Sequence, residues 1–134
     1  MFDFLRASDE VIDQRRQLAA QVCEALGLAG VPSRVASDGA GRPAGAEVEV
    51  DGAADEAGGV YVNWRPDPKL SEAVMESALA GRTTDPAVRL SEAFSGFMRD
   101  AMVGILRESG FAVEPFNDPD MRPPAVRVLG REVP

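Results

Sequence analysis

Glu47, Glu49, Tyr61, Asn63 and Arg65 are the side chains whose types and spacing could do chemistry here, and that chemistry would be recognition. The glutamates alternate with Val48 and Val50, and the other three alternate with Val60, Val62 and Trp64. Successive side chains of a β-strand point to opposite faces, so this alternation predicts a hairpin with one apolar and one polar face. Placing Val50 opposite Val60 sets Val48 against Val62, Glu49 against Tyr61 and Glu47 against Asn63, with Arg65 beyond. Arg127, between Val126 and Val128, has the same phase and is expected to join the polar face. Tyr and Arg are enriched among residues that dominate interfaces, and the glutamates favour a partner of complementary charge. The plainer expectation is a solvated face whose Glu–Arg and Glu–Tyr contacts each contribute under about 1 kcal/mol.

Other chemistries are limited by what is missing. The sequence has no histidine and one cysteine, Cys23. A Ser-His-Asp or Cys-His arrangement therefore cannot be assembled, and a zinc site would lack nitrogen and sulfur ligands. Asp and Glu total 22, so carboxylate pairs are too numerous for spacing to single one out. Cys23 shares a helix flank with Ile12, Ala19 and Leu26 and reads as a buried, inert thiol. The run Gly39-Ala40-Gly41-Arg42-Pro43-Ala44-Gly45 resembles a phosphate loop only in glycine content. It leads into a strand instead of a helix and lacks the Lys-Ser/Thr ending. Asp51, Asp55 and Glu56, and later Asn117, Asp118 and Asp120, lack the EF-hand spacing and read as turns. No metal and no cofactor are expected. Trp64-Arg65-Pro66-Asp67-Pro68 joins a strand end, a proline-set turn and a helix cap. Its indole reads either as an exposed anchor or, in phase with Val60 and Val62, as a core residue.

The elements that must position these residues follow from periodicity and punctuation. Ser8 with Asp9 and Glu10 starts an amphipathic helix over about 9–26, ended by Gly27 and Gly30. A loop over 31–45 includes a short strand candidate at Arg34-Val35-Ala36-Ser37. The hairpin follows, with its loop near 51–59. Asp67 caps a second helix that begins at Pro68 and stops at Gly81, and Asp85-Pro86 opens a longer one over 86–109 in the same way. Phe111–Glu114 and Ala125–Val128 complete the order as strands. Leu90, Phe94, Phe97, Met98, Ala101, Met102, Ile105 and Leu106 cover more than half the circumference of the long helix. Such a helix needs burial on more than one side, in the core or in an intersubunit core.

The expected fold class is a single α+β domain over residues 1–134. Two layers are predicted: a mainly antiparallel or mixed sheet of 4–5 strands, covered on one face by three helices. The chain is acidic, with net charge -8, which disfavours nucleic acid and anionic membranes as partners. No stretch reaches the ~18–20 apolar residues of a membrane span. The start Met1-Phe2-Asp3-Phe4-Leu5-Arg6 lacks the pattern of a signal peptide, and a lone cysteine suits a reducing compartment, so a cytoplasmic location is expected. Lys69 is the only lysine beside thirteen arginines, a bias of GC-rich bacterial genomes. In element order, size and acidity the chain is similar to bacterial secretion-chaperone-like α/β folds, at the level of architecture.

The function expected from these features is non-catalytic: an interaction module of chaperone, immunity or adaptor type. It would bind a protein partner through the polar sheet face, and self-association through the helix at 86–109 is a further route. The alternative is a small-molecule-binding domain or a carboxylate-dependent enzyme with a pocket near the hairpin loop.

Overall fold

The computed structural model describes residues 6–36, 43–54, 58–117 and 124–132. The chain runs through α1 (Asp9–Leu28), β1 (Ser33–Val35), β2 (Gly45–Asp51), β3 (Gly59–Arg65), α2 (Pro68–Leu79), α3 (Pro86–Glu108), β4 (Phe111–Phe116) and β5 (Ala125–Arg131). The five strands form one mixed sheet in the order β1-β2-β3-β5-β4. Only the β1–β2 pair is parallel. This is the α+β, sheet-plus-three-helices class that the periodicity predicts.

The helix ends follow from local chemistry. The Ser8 hydroxyl accepts from the Val11 N–H and caps α1. The helix continues through Gly27, contrary to the expected stop there. It closes one turn later, where Gly30 takes φ 87°. The Gly30 N–H then bonds Gly27 O and the Val31 N–H bonds Leu26 O, a Schellman ending that needs a left-handed residue at Gly30. Asp67 caps α2 by accepting from the Lys69 N–H at 2.8 Å. Asp85 does not repeat that cap on α3, as Asp85-Pro86 suggests it should. Its Oδ2 instead accepts from the buried Ser77 hydroxyl at 2.8 Å and from Arg82 Nε at 2.7 Å, which ties the end of α2 to the start of α3.

Ala19, Val22 and Leu26 from α1 and Met102, Val103 and Leu106 from α3 meet Val48, Val60, Val62, Val113, Val126, Val128 and Phe111 of the sheet in one core cluster. Fully burying such side chains contributes roughly 1.5–3 kcal/mol each. Cys23, expected to be buried, is half-buried at the edge of this cluster, and burial pushes its thiol pKa up. The alternating phase that fills the core also fixes where the polar side chains of β2, β3 and β5 must go.

α1 and α3 lie on the sheet and touch each other, while α2 joins the helical layer by packing on α3. That placement covers the long helix on more than one side, as its apolar breadth predicts, but not over all of its apolar residues. Met102 and Leu106 are buried, but Leu90, Phe94 and Phe97 are 47%, 42% and 69% exposed. The sheet covers one side of α3 and α2 covers a second. The arc beyond α2, with Leu90, Phe94 and Phe97, has no cover among the described residues.

Candidate functional site

The register of β2 on β3 is the one the alternation predicts: Val50 opposite Val60, Glu49 opposite Tyr61, Val48 opposite Val62 and Glu47 opposite Asn63. Tyr61 also faces Arg127 of β5. Glu47, Glu49, Tyr61, Asn63, Arg65 and Arg127 therefore do gather on the sheet face opposite the helices. Two of them are not open to solvent, since Glu47 and Tyr61 are each only 5% exposed.

Glu47 is held from both sides. Arg34 Nη2 of β1 donates to its Oε2 at 2.7 Å, and Arg65 Nη2 of β3 donates to its Oε1 at 3.1 Å. Arg34 also donates to Pro43 O at 3.2 Å. Burial pushes the Glu47 carboxyl pKa up, but the hydrogen bond and charge of Arg65, with the charge of Arg34, outweigh it. The group titrates below the ordinary glutamate range. Arg65 Nε is buried without a hydrogen-bond partner among the described residues. Tyr61 packs edge-to-face on Phe116 with ring centroids 5.2 Å apart, and the Arg127 guanidinium lies 5.9 Å from its ring centre. Asn63, Glu49 and Arg127 are half-buried.

Arg34 was not among the residues that spacing singled out. Its place beside Glu47 depends on the parallel pairing of β1 with β2. That pairing is made across a long connection that leaves no periodic trace.

One residue further along β3 than Asn63, the chain presents the opposite face. Trp64 packs against the core cluster and also lines a groove of about 500 Å³ with Pro66, Asp67, Leu70, Phe94, Phe97 and Met98. The indole is half-buried, packed on the core on one side and lining the groove on the other. The turn Pro66-Asp67 brings the start of α2 back beside Trp64, and α3 passes across with its uncovered arc forming the opposite wall. The walls are apolar except at Asp67, whose carboxylate is engaged in capping α2. Trp64 and the broad apolar arc of α3 were both visible in the sequence. Their juxtaposition required knowing where α2 packs.

Of the glycine-rich run 39–45, residues 39–42 lie outside the described residues, as do Asp55, Glu56, Asp118 and Asp120 of the two acidic runs. Among the described residues, no group of three His, Cys, Asp or Glu side chains is placed to hold a metal ion. No described helix is long and apolar enough to cross a membrane. Comparison with protein-family models, with curated proteins and with solved structures finds no match.

Proposed function

We propose that this chain is a non-catalytic protein-interaction module that holds an amphipathic segment of a partner protein in the groove between Trp64, α2 and α3. The observation that carries the reading is the pair Phe94 and Phe97. Both line an apolar concavity, and Phe97 stands 69% exposed at its rim. Large aromatic side chains left in water beside a pocket are the usual anchors of an interface. The volume also suits a small apolar ligand. A polypeptide fits better because Leu90 extends the apolar surface along α3, past the groove itself. With a net charge of -8, the chain favours a segment whose apolar anchors are flanked by Lys or Arg. In this reading the buried Glu47 network and Tyr61 serve as a rigid backing that fixes the end of β3 and hence Trp64. The half-buried Asn63, Glu49 and Arg127 then lie on the reverse side from the bound segment.

Trp64 is the sole tryptophan, so its fluorescence reports groove occupancy directly. Titration with helical peptides carrying Leu or Phe anchors at i, i+3 and i+7 and basic flanks should give a saturable blue shift. Leu70→Asp should abolish that shift without changing the circular dichroism spectrum. No response to any peptide of the panel from correctly folded protein would overturn the proposal.

A further inference from the structure

The second helix is held to the chain differently from the other two. α1 and α3 send Val22, Leu26, Met102 and Leu106 into the core, all fully buried. No side chain of α2 belongs to that cluster among the described residues; the helix packs on α3, and its one buried side chain is Ser77. Its covered side is Leu70, Ala73, Val74 and Ser77, at i, i+3, i+4 and i+7, and all but Ser77 are only half-buried. The bulkier Met75 and Leu79 face water.

What fastens the far end of α2 is polar. The Ser77 hydroxyl donates to Asp85 Oδ2 at 2.8 Å, and Arg82 Nε donates to the same oxygen at 2.7 Å. Asp85 stands at the start of α3 but makes no capping bond there, so its carboxylate serves the link between the helices. That side chain is 29% exposed and Arg82 is 53% exposed, so water competes for both. The near end of α2 is anchored otherwise, through the turn Pro66-Asp67 that joins it directly to β3.

We propose that α2 is a detachable strap. Its C-terminal half lifts from α3 when the contact of Asp85 with Ser77 and Arg82 opens, pivoting about Pro66-Asp67 while the sheet, α1 and α3 stay folded. Opening free energies within one protein run from near zero to the global value, and elements with few buried apolar side chains lie at the low end. The consequence for partner binding rests on the groove reading given above. Leu70 belongs to the groove wall, and Ala73, Val74 and Ser77 continue the same side of α2. Lifting them clears the stretch of α3 beneath and lengthens the groove. A segment that needs the longer groove binds only the open form, so its affinity is reduced by the fraction of molecules that are open. The Asp85 contact thereby regulates which segments are held.

The test is native-state hydrogen exchange on the folded full chain. In the wild type, α2 amides should exchange about a hundredfold or more faster than those of residues 102–106. Leu106→Ala should speed exchange at 102–106 by about thirtyfold or more and leave α2 unchanged, because a strap that opens alone does not feel the core. Val103→Ala is the milder core variant should Leu106→Ala not fold. Asp85→Ala should speed α2 exchange by about tenfold, and Ser77→Ala should act in the same direction although alanine favours the helix. If a core variant speeds α2 as much as it speeds 102–106, or if Asp85→Ala leaves α2 exchange unchanged, the strap is overturned. Trp64 fluorescence tests the regulation. Asp85→Ala should bind a peptide two helical turns longer than the minimal i, i+3, i+7 peptide about tenfold more tightly than wild type does, with the minimal peptide unaffected. Equal affinities of the two proteins for the longer peptide overturn the regulation and spare the groove. No peptide response in either protein removes the groove and its regulation, while detachment of α2 is decided by exchange, which needs no ligand.

Discussion

Arg34 and Glu47 meet across the parallel β1–β2 pair, Nη2 to Oε2 at 2.7 Å, and the contact is the only side-chain ion pair that fastens the β1 edge strand to the sheet among the described residues. Arg65 completes the arrangement from β3. Removing the carboxylate leaves two guanidinium groups facing each other with nothing between them. The glutamate side chain is 7% exposed, but Arg34 and Arg65 are 25% and 31% exposed, so water relieves part of that cost. Glu47→Ala is expected to lower unfolding stability by about 1–3 kcal/mol in urea titrations at neutral pH.

The same network sets an acid limit on stability. The folded-state pKa of Glu47 lies below its unfolded value, so the unfolded chain binds the proton more readily. The stabilisation from ionised Glu47 is therefore complete above the unfolded glutamate range, near pH 4.3, and is lost as pH falls through the lower folded pKa. Glu47→Gln should show a shallower fall in stability over that acid window than wild type. Parallel urea midpoints between pH 2.5 and 7 provide the measurement, and curves of equal slope would remove Glu47 as the cause.

Two residues on one helix should respond in opposite ways. Leu106 is fully buried in the core, and Leu106→Ala is expected to cost about 2–5 kcal/mol. Phe97, nine residues earlier and 69% exposed, should cost under about 1 kcal/mol when changed to Ala in dilute protein. A loss at position 97 comparable to that at 106 would place the ring in the core after all.

Much of the fold was legible because its local signals agree. Val48, Val50, Val60 and Val62 have to share a face, and that condition alone sets the β2–β3 register and the placement of Tyr61 opposite Glu49. The caps at Ser8 and Asp67 and the left-handed Gly30 likewise announce their helix ends within a few residues. What was not legible depends on contacts between elements distant in sequence. Phe94 and Phe97 look like core residues by type, and only the resting place of α2 shows that the helical layer stops short of them. Glu47 looked like an exposed glutamate until β1 was known to run parallel beside it. In both cases residue type and period state what a side chain prefers, while the tertiary arrangement decides whether it is given it.

The strand order has a consequence for how this chain comes to be folded. β5 lies between β3 and β4, so β4 has no sheet neighbour until residues 125–131 are in place, and β3 keeps one edge bare until then. During synthesis, α1 and the β2–β3 hairpin emerge early and can pair locally, but the sheet remains in two pieces with Val60 and Val62 uncovered on one side. Closing it requires joining segments more than sixty residues apart, a slow step set by loop closure more than by local propensity. A nascent chain of this kind spends that interval with a bare strand edge, which makes the last strand to arrive the one that ends its exposure to aggregation.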